Sequence, residues 1–402
     1  MVRMGQYPVR GTDPGTIPGE TAPVKGNITM CLPGKIGAVL LVTMLVQGCS
    51  GNPFDVIDDG DDEPADWTDR AEQAFNSLTG LYLDTASGIF FSDNYRNTSL
   101  NYWWQAHGLD AIVDASMRVD DDRYFGLLKD FYDGIERANN GFTNDFYDDM
   151  SWMGIALTRS YLVTGHEDYL NTAILLWEDI ITGWNGQHGG GISWNKQMPY
   201  YKNTPSNATA AILSFRLYEI TGENKYLSMG DSILDWLRLT LVDETTGLVW
   251  DGIGREGGDH IDKDWLFTYN QGTYIGACVL YYDITGEEVW LERAVRTADN
   301  ALIDFMGKDH VLKDEGEGDG GLFKGILIRY MKLLADREYL DAEKDTVYSS
   351  FIKENAESLW KYGRSDEFPY LFNHDWTESP SGPVDLSVQL SGVFLLEACA
   401  DL

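Results

Sequence analysis

Basic residues are scarce in this chain. Thirty Lys and Arg stand against 64 Asp and Glu, for a formal net charge of −34. A field of that sign repels polyphosphate, which excludes nucleic acid and an anionic membrane face as partners. Cysteine is also sparse: Cys31, Cys49, Cys278 and Cys399 fit no zinc or thioredoxin spacing. A Cys278–Cys399 disulfide is left open by the sequence. The six His contain no HExxH and no paired ligand spacing, so neither metal nor cofactor is expected. Long apolar runs are missing too. The run Ile36–Val46 is too short to span a bilayer. No stretch reads as strand-rich or as a dinucleotide-binding unit.

Aromatics, by contrast, are plentiful, with 13 Trp and 22 Tyr in 402 residues. They suit a helical core, and equally stacking platforms for the apolar faces of sugar rings. The chain opens on a Gly-, Pro- and Thr-rich leader, with Met30 as an alternative start. Lys35 and the apolar run then read as a signal peptide. Leu45-Val46-Gln47-Gly48-Cys49 resembles a bacterial lipobox, with Gln47 a loose match. On this reading residues 1–48 are a disordered leader plus a lipoprotein-type signal peptide, and Cys49 is lipidated. The protein is then exported and lipid-anchored to the cell envelope, meeting the membrane only through that anchor. Residues 49–66, with Asp58-Asp59-Gly60-Asp61-Asp62-Glu63-Pro64, read as an acidic flexible linker.

From Trp67 to Leu402 the pattern is helical and repeats. Thr164-Gly165, Thr221-Gly222 and Thr285-Gly286 each end an apolar helix that carries a Tyr three residues before the Thr. Glycine at that place supplies a left-handed C-cap. Gly-rich turns separate the units: Gly88–Phe91, Gly190–Trp194 and Gly247–Trp250, with Lys308–Asp314 a degenerate fourth. The unit is thus helix, Thr-Gly turn, helix, loop. Stretches such as Ser151–Tyr161, Thr209–Tyr218 and Tyr274–Tyr282 mix small and large apolar residues, as inner helices packed on all sides would. The expectation is an all-α fold: an (α/α)6 barrel of helical hairpins over 67–402, monomeric, with the longer loops forming a cleft on one rim.

One stretch stands out, Asn144–Gly154. Asp148 and Asp149 sit between Phe146-Tyr147 and Trp152-Met153 at a helix start. Acids are common in first turns because the helix dipole favours them, and Asn144 or Asp145 could cap the helix. Aromatic flanks argue for more, since ionised pairs are costly in apolar surroundings. Two carboxyls in one such site push their pKa values apart, as acid/base glycoside chemistry requires. Other inner helices open on Trp103-Trp104-Gln105, Tyr201-Lys202-Asn203 with Asn207, and Tyr269-Asn270-Gln271. Trp194 and Trp250-Asp251 precede two of them. Helix capping accounts for many such amides, but not for the aromatics beside them.

The run Tyr147–Ala156, the Tyr201–Asn207 segment, Val249–Gly252, Thr268–Gly272, Trp103–Gln105 and Gly321–Ile326 resemble glycoside hydrolase family 76, in matching order over nearly all of 67–402. The resemblance implies an (α/α)6 barrel and endo-acting α-1,6-mannanase activity with retention, on α-mannan or α-1,6-manno-oligosaccharides. It makes Asp148 the nucleophile, Asp149 the acid/base and Asp251 a substrate contact. Trp103, Gln105, Trp152, Trp194, Tyr201, Asn203, Asn207, Trp250, Tyr269 and Gln271 are the further candidate substrate residues. Pro205-Ser206 and the acidic Asp314–Gly320 loop depart from the family pattern. Rival readings are a transglycosidase using the same residues on α-mannan or glycosylphosphatidylinositol-linked glycan, and a non-catalytic mannan-binding lipoprotein. A lyase of uronates would want basic residues, of which this rim shows few.

Overall fold

The computed structural model describes residues 66–119, 122–400 and 402. Cys49, the signal-peptide run and all but the last residue of the acidic linker lie outside them. Twelve α-helices account for most of the described chain. Six form an inner ring: α2 (Tyr102–Val119), α4 (Tyr147–Thr164), α6 (Thr204–Thr221), α8 (Thr268–Thr285), α10 (Gly320–Ala335) and α12 (Leu386–Ala400). Each packs on the next, and α12 returns to α2, which closes the ring. The outer six are α1 (Trp67–Tyr82), α3 (Phe125–Asn139), α5 (Glu167–Ile180), α7 (Asn224–Leu241), α9 (Glu288–Phe305) and α11 (Ala342–Lys361). The expected (α/α)6 barrel is what the chain forms.

The two rings differ for a reason written in their side chains. Helix α9 buries one stripe, Trp290, Ala294, Thr297, Ala298, Ala301, Leu302 and Phe305, and leaves the rest to water. Helix α6 buries every residue from Thr204 to Phe215. Packing on all sides demands small residues at the tightest contacts. At Gly272 of α8 an added Cβ would lie 2.8 Å from Leu327 Cα on α10, a backbone atom with no freedom to move aside.

Both kinds of turn behave as their residues require. Gly165, Gly222 and Gly286 take φ of 69°, 71° and 67°, and each donates its N–H to the Tyr carbonyl four residues back. After the outer helices the chain doubles back: β1 (Leu83–Asp84) pairs with β2 (Ile89–Phe90), and single bridges join Trp184 to Ile192, Val242 to Val249 and Met306 to Leu312. In the degenerate fourth turn Asp309 and His310 adopt the positive φ. Cys278 and Cys399 are both buried and both free, so the disulfide left open by the sequence is absent. Among the described residues no helix is long and apolar enough to cross a membrane.

Candidate active site

The inner helices all point their N-termini toward one rim, where a recess of about 470 Å³ opens. Asp148 and Asp149 lie in its wall, in the first turn of α4. The helix begins after Phe146, whose side chain makes no capping bond, so neither Asn144 nor Asp145 is the cap that the sequence suggested. Asn144 instead accepts the Phe146 N–H at 2.7 Å and donates its amide to Asp149 Oδ2 at 3.1 Å. Asp148 has different neighbours. Its Oδ1 accepts the Asp149 backbone N–H at 3.1 Å, and Asn203 Nδ2 faces its Oδ2 at 3.4 Å. Asn203 is fixed because its Oδ1 caps α6 through the Ser206 N–H.

Burial raises the affinity of both carboxyls for a proton. For Asp148 it pushes the pKa to about 7, while Asn203, backbone N–H groups and Trp194 pull toward the ionised form. Asp149 is raised further, first by burial and then by the charges of Asp148 and Asp319. The pair titrates as a unit. Asp149 is the partner with fewer donors to stabilise a charge.

Aromatic rings form much of the remaining wall. Trp103, Trp152, Trp194, Tyr201, Asn203, Asp251 and Tyr269 all reach the recess, as expected from the sequence. Asp251 reaches it with its oxygens already occupied. They accept from Tyr201 Oη at 3.0 Å, Asn270 Nδ2 at 3.1 Å, Tyr269 Oη at 3.3 Å and the Arg255 guanidinium. At the wall of the recess it holds those four groups in place.

Four expected substrate residues do not line the recess. Gln105 is fully buried and brackets Phe90, accepting its N–H and donating to its carbonyl. Asn207 brackets Ile192 in the same way, and Gln271 brackets Val249. Gln389, on α12, accepts the Phe372 N–H and donates to the Tyr370 carbonyl. These amides recur because each pins the loop after an outer helix to an inner one, satisfying backbone groups that no strand would pair. Trp250 lies beside the recess with the Lys263 ammonium 4.1 Å from its ring centre.

Sequence reasoning missed other parts of the wall. Arg255 lies 3.9 Å from the Trp265 ring centre and is ion-paired with Asp251 and Asp262. Phe323 stacks on Tyr269 with centroids 3.9 Å apart. Asp319 Oδ1 accepts both indole N–H groups of Trp103 and Trp104, at 3.0 and 3.1 Å. Two adjacent tryptophans in need of acceptors were the available signal for that carboxylate. Among the described residues no group of three His, Cys, Asp or Glu is placed to hold a metal ion.

A sequence profile described as Glycosyl hydrolase family 76 matches residues 66–398. The chain belongs to that family. An α-1,6-mannanase from Salegentibacter sp. HEL1_6, inactivated at two consecutive aspartates and bound to α-1,6-mannotriose, is 43% identical, with a TM-score of 0.81 over 83% of this chain and 99% of its own. Another structure of that mannanase aligns with the same identity and TM-score. A mannan endo-1,6-alpha-mannosidase of Eremothecium gossypii is 26% identical over 61% of this chain, and the match spans only 59% of that relative's length.

Proposed function

We propose that this member of the family is a retaining, endo-acting α-1,6-mannanase that hydrolyses the α-1,6-linked mannan backbone by double displacement. The observation that carries the reading is the consecutive pair Asp148-Asp149 in an aromatic-walled recess whose cation, Arg255, is bound to other acids. In the Salegentibacter enzyme, too, two consecutive aspartates are the ones replaced to obtain an inactive protein.

Each half of the pair suits one role. Asp148, with donors on both oxygens, is the carboxylate; ionised, it attacks the anomeric carbon of the mannosyl unit and expels the O6 of the next. Asp149, which holds its proton more tightly, delivers that proton to the departing O6. The deprotonated Asp149 then draws a proton from water, which attacks the glycosyl–Asp148 ester and frees the sugar. Rings such as Trp103, Trp152 and the Tyr269–Phe323 stack supply faces for neighbouring sugars.

Product analysis on unbranched α-1,6-mannan tests this, with wild type, Asp148→Asn and Asp149→Asn in parallel. Short α-1,6-oligosaccharides from wild type and none from the variants are expected. Products longer than the donor would move the function to transglycosylation, and binding without cleavage would make the protein a mannan-binding module. Export and a lipid anchor at Cys49 complete the proposal, resting on the apolar run and lipobox-like segment. Cys49→Ala should release the protein from the membrane fraction; unchanged membrane association would refute the anchor.

A further inference from the structure

The opposite mouth of the barrel holds a second cavity, of about 280 Å³, enclosed by the C-terminal halves of inner helices. Charged side chains fill its wall, and most are paired. Arg159 and Arg329 each bind both Asp110 and Asp114, Arg118 binds Glu72 and Glu397, and Lys332 binds Asp336. Arg216 is the exception. Among the described residues its guanidinium has neither an ion pair nor a hydrogen bond, and its Nε is buried without a partner. Tyr330 lines the same wall. A buried guanidinium donor without a partner is costly, and a planar fork of donors matches an oxyanion.

The plainer account is that these arginines offset the negative ends of the inner helices. It serves poorly for Arg216, which lies six residues before the cap Gly222, beyond the last turn where that field acts. It also leaves the buried Nε unexplained. In a chain of net charge −34, five cations (Arg118, Arg159, Arg216, Arg329, Lys332) line this one cavity beside four acids (Asp110, Asp114, Asp336, Glu397), with Glu72 taking up Arg118 from outside the lining. We propose that this mouth binds a small oxyanion, of the phosphate or carboxylate kind, with Arg216 as its anchor.

The test uses the full chain, titrated with inorganic phosphate, acetate or sodium chloride at matched ionic strength, and followed by thermal unfolding and calorimetry. A saturable rise in Tm of about 3 °C with at least one oxyanion, beyond that in chloride, is expected. Phosphate and acetate responses distinguish the two kinds of ligand. Arg216→Gln should abolish the rise, and Arg216→Lys should weaken it. In oxyanion-free buffer Arg216→Gln should fold with a Tm no lower than wild type, because it removes a partly buried charge that no ion pair compensates. Equal responses to chloride and to both oxyanions would overturn the proposal. So would an undiminished response in Arg216→Gln, or a Tm for that variant well below wild type without oxyanion, which would make Arg216 a structural partner instead.

Discussion

Two pairs of aspartates face the interior of this barrel, and they behave in opposite ways. Asp110 and Asp114 lie one turn apart on α2 near the C-terminal mouth; Asp148 and Asp149 are neighbours on α4 at the other rim. Burial alone would raise Asp110, but Arg159 and Arg329 outweigh it and hold its pKa down at about 2. No such cation attends the second pair, and there burial wins. Buried carboxylates are thus structural or chemical according to their counter-ions. A guanidinium beside Asp148 would have made it another brace.

Breaking the comparison at the rim has the largest expected effect. Asp148→Asn should lower kcat on α-1,6-mannan by at least about 10,000-fold, and Asp149→Asn by about 100- to 10,000-fold, measured by reducing-end release. Neither should destabilise the fold. Both should instead raise Tm at pH 8, by about 2–5 °C, because folding no longer has to bury a charge or take up a proton at that site.

The pH dependence of that gain follows from the sign of the shifts. Asp148, Asp149 and Glu315 have raised folded-state pKa values, about 7 for Asp148 and Glu315. Below the unfolded value near 4 they cost nothing; between there and about 7 the folded state holds protons that the unfolded state has lost, and stability falls as pH rises. Asp110 works in reverse: its contribution is present above the unfolded value and lost as pH falls toward 2. The Tm gain of Asp148→Asn should therefore vanish at pH 4, as thermal scans at both pH values would reveal.

At the other mouth the same logic predicts loss of stability rather than of chemistry. Arg159→Met leaves Asp110 and Asp114 half-compensated and should cost about 3–5 kcal/mol in denaturant unfolding. The kcat of the folded variant should stay within about twofold of wild type, since no group in the recess changes. A smaller effect sharpens the contrast. Asp319→Asn removes one of the charges that raise Asp149. The alkaline limb of the kcat/KM profile should move to lower pH, because Asp149 then gives up its proton sooner.

What the sequence revealed and what it hid divide along physical lines. The ring, its Thr-Gly turns and the acid pair were legible because each leaves a local signature: a periodic apolar face, a glycine at a positive φ, adjacent charges among aromatics. Gln105, Asn207 and Gln271 were misread as sugar contacts because an amide near a helix start looks the same whether it binds a ligand or a loop. Only the position of the loop decides, and that is set by packing between helices. Asp319 and Glu315 sat inside an acidic loop that looked like a departure from the family pattern. Glu315 in fact caps α8 at the Thr268 N–H, and Asp319 ties two indoles to the rim. Arg255 and Trp265 gave no local signal, for they meet the recess through a distant loop, and Phe323 lay in a family-like segment that did not by itself point to the recess.

The most direct test of the proposed division of labour is the anomeric configuration of the first product, followed by proton NMR as wild-type enzyme cleaves a short α-1,6-manno-oligosaccharide. Nucleophilic attack by Asp148 followed by water predicts that the α-anomer appears first and mutarotates later. First appearance of the β-anomer would mean a single displacement by water, and would contradict the role assigned to Asp148.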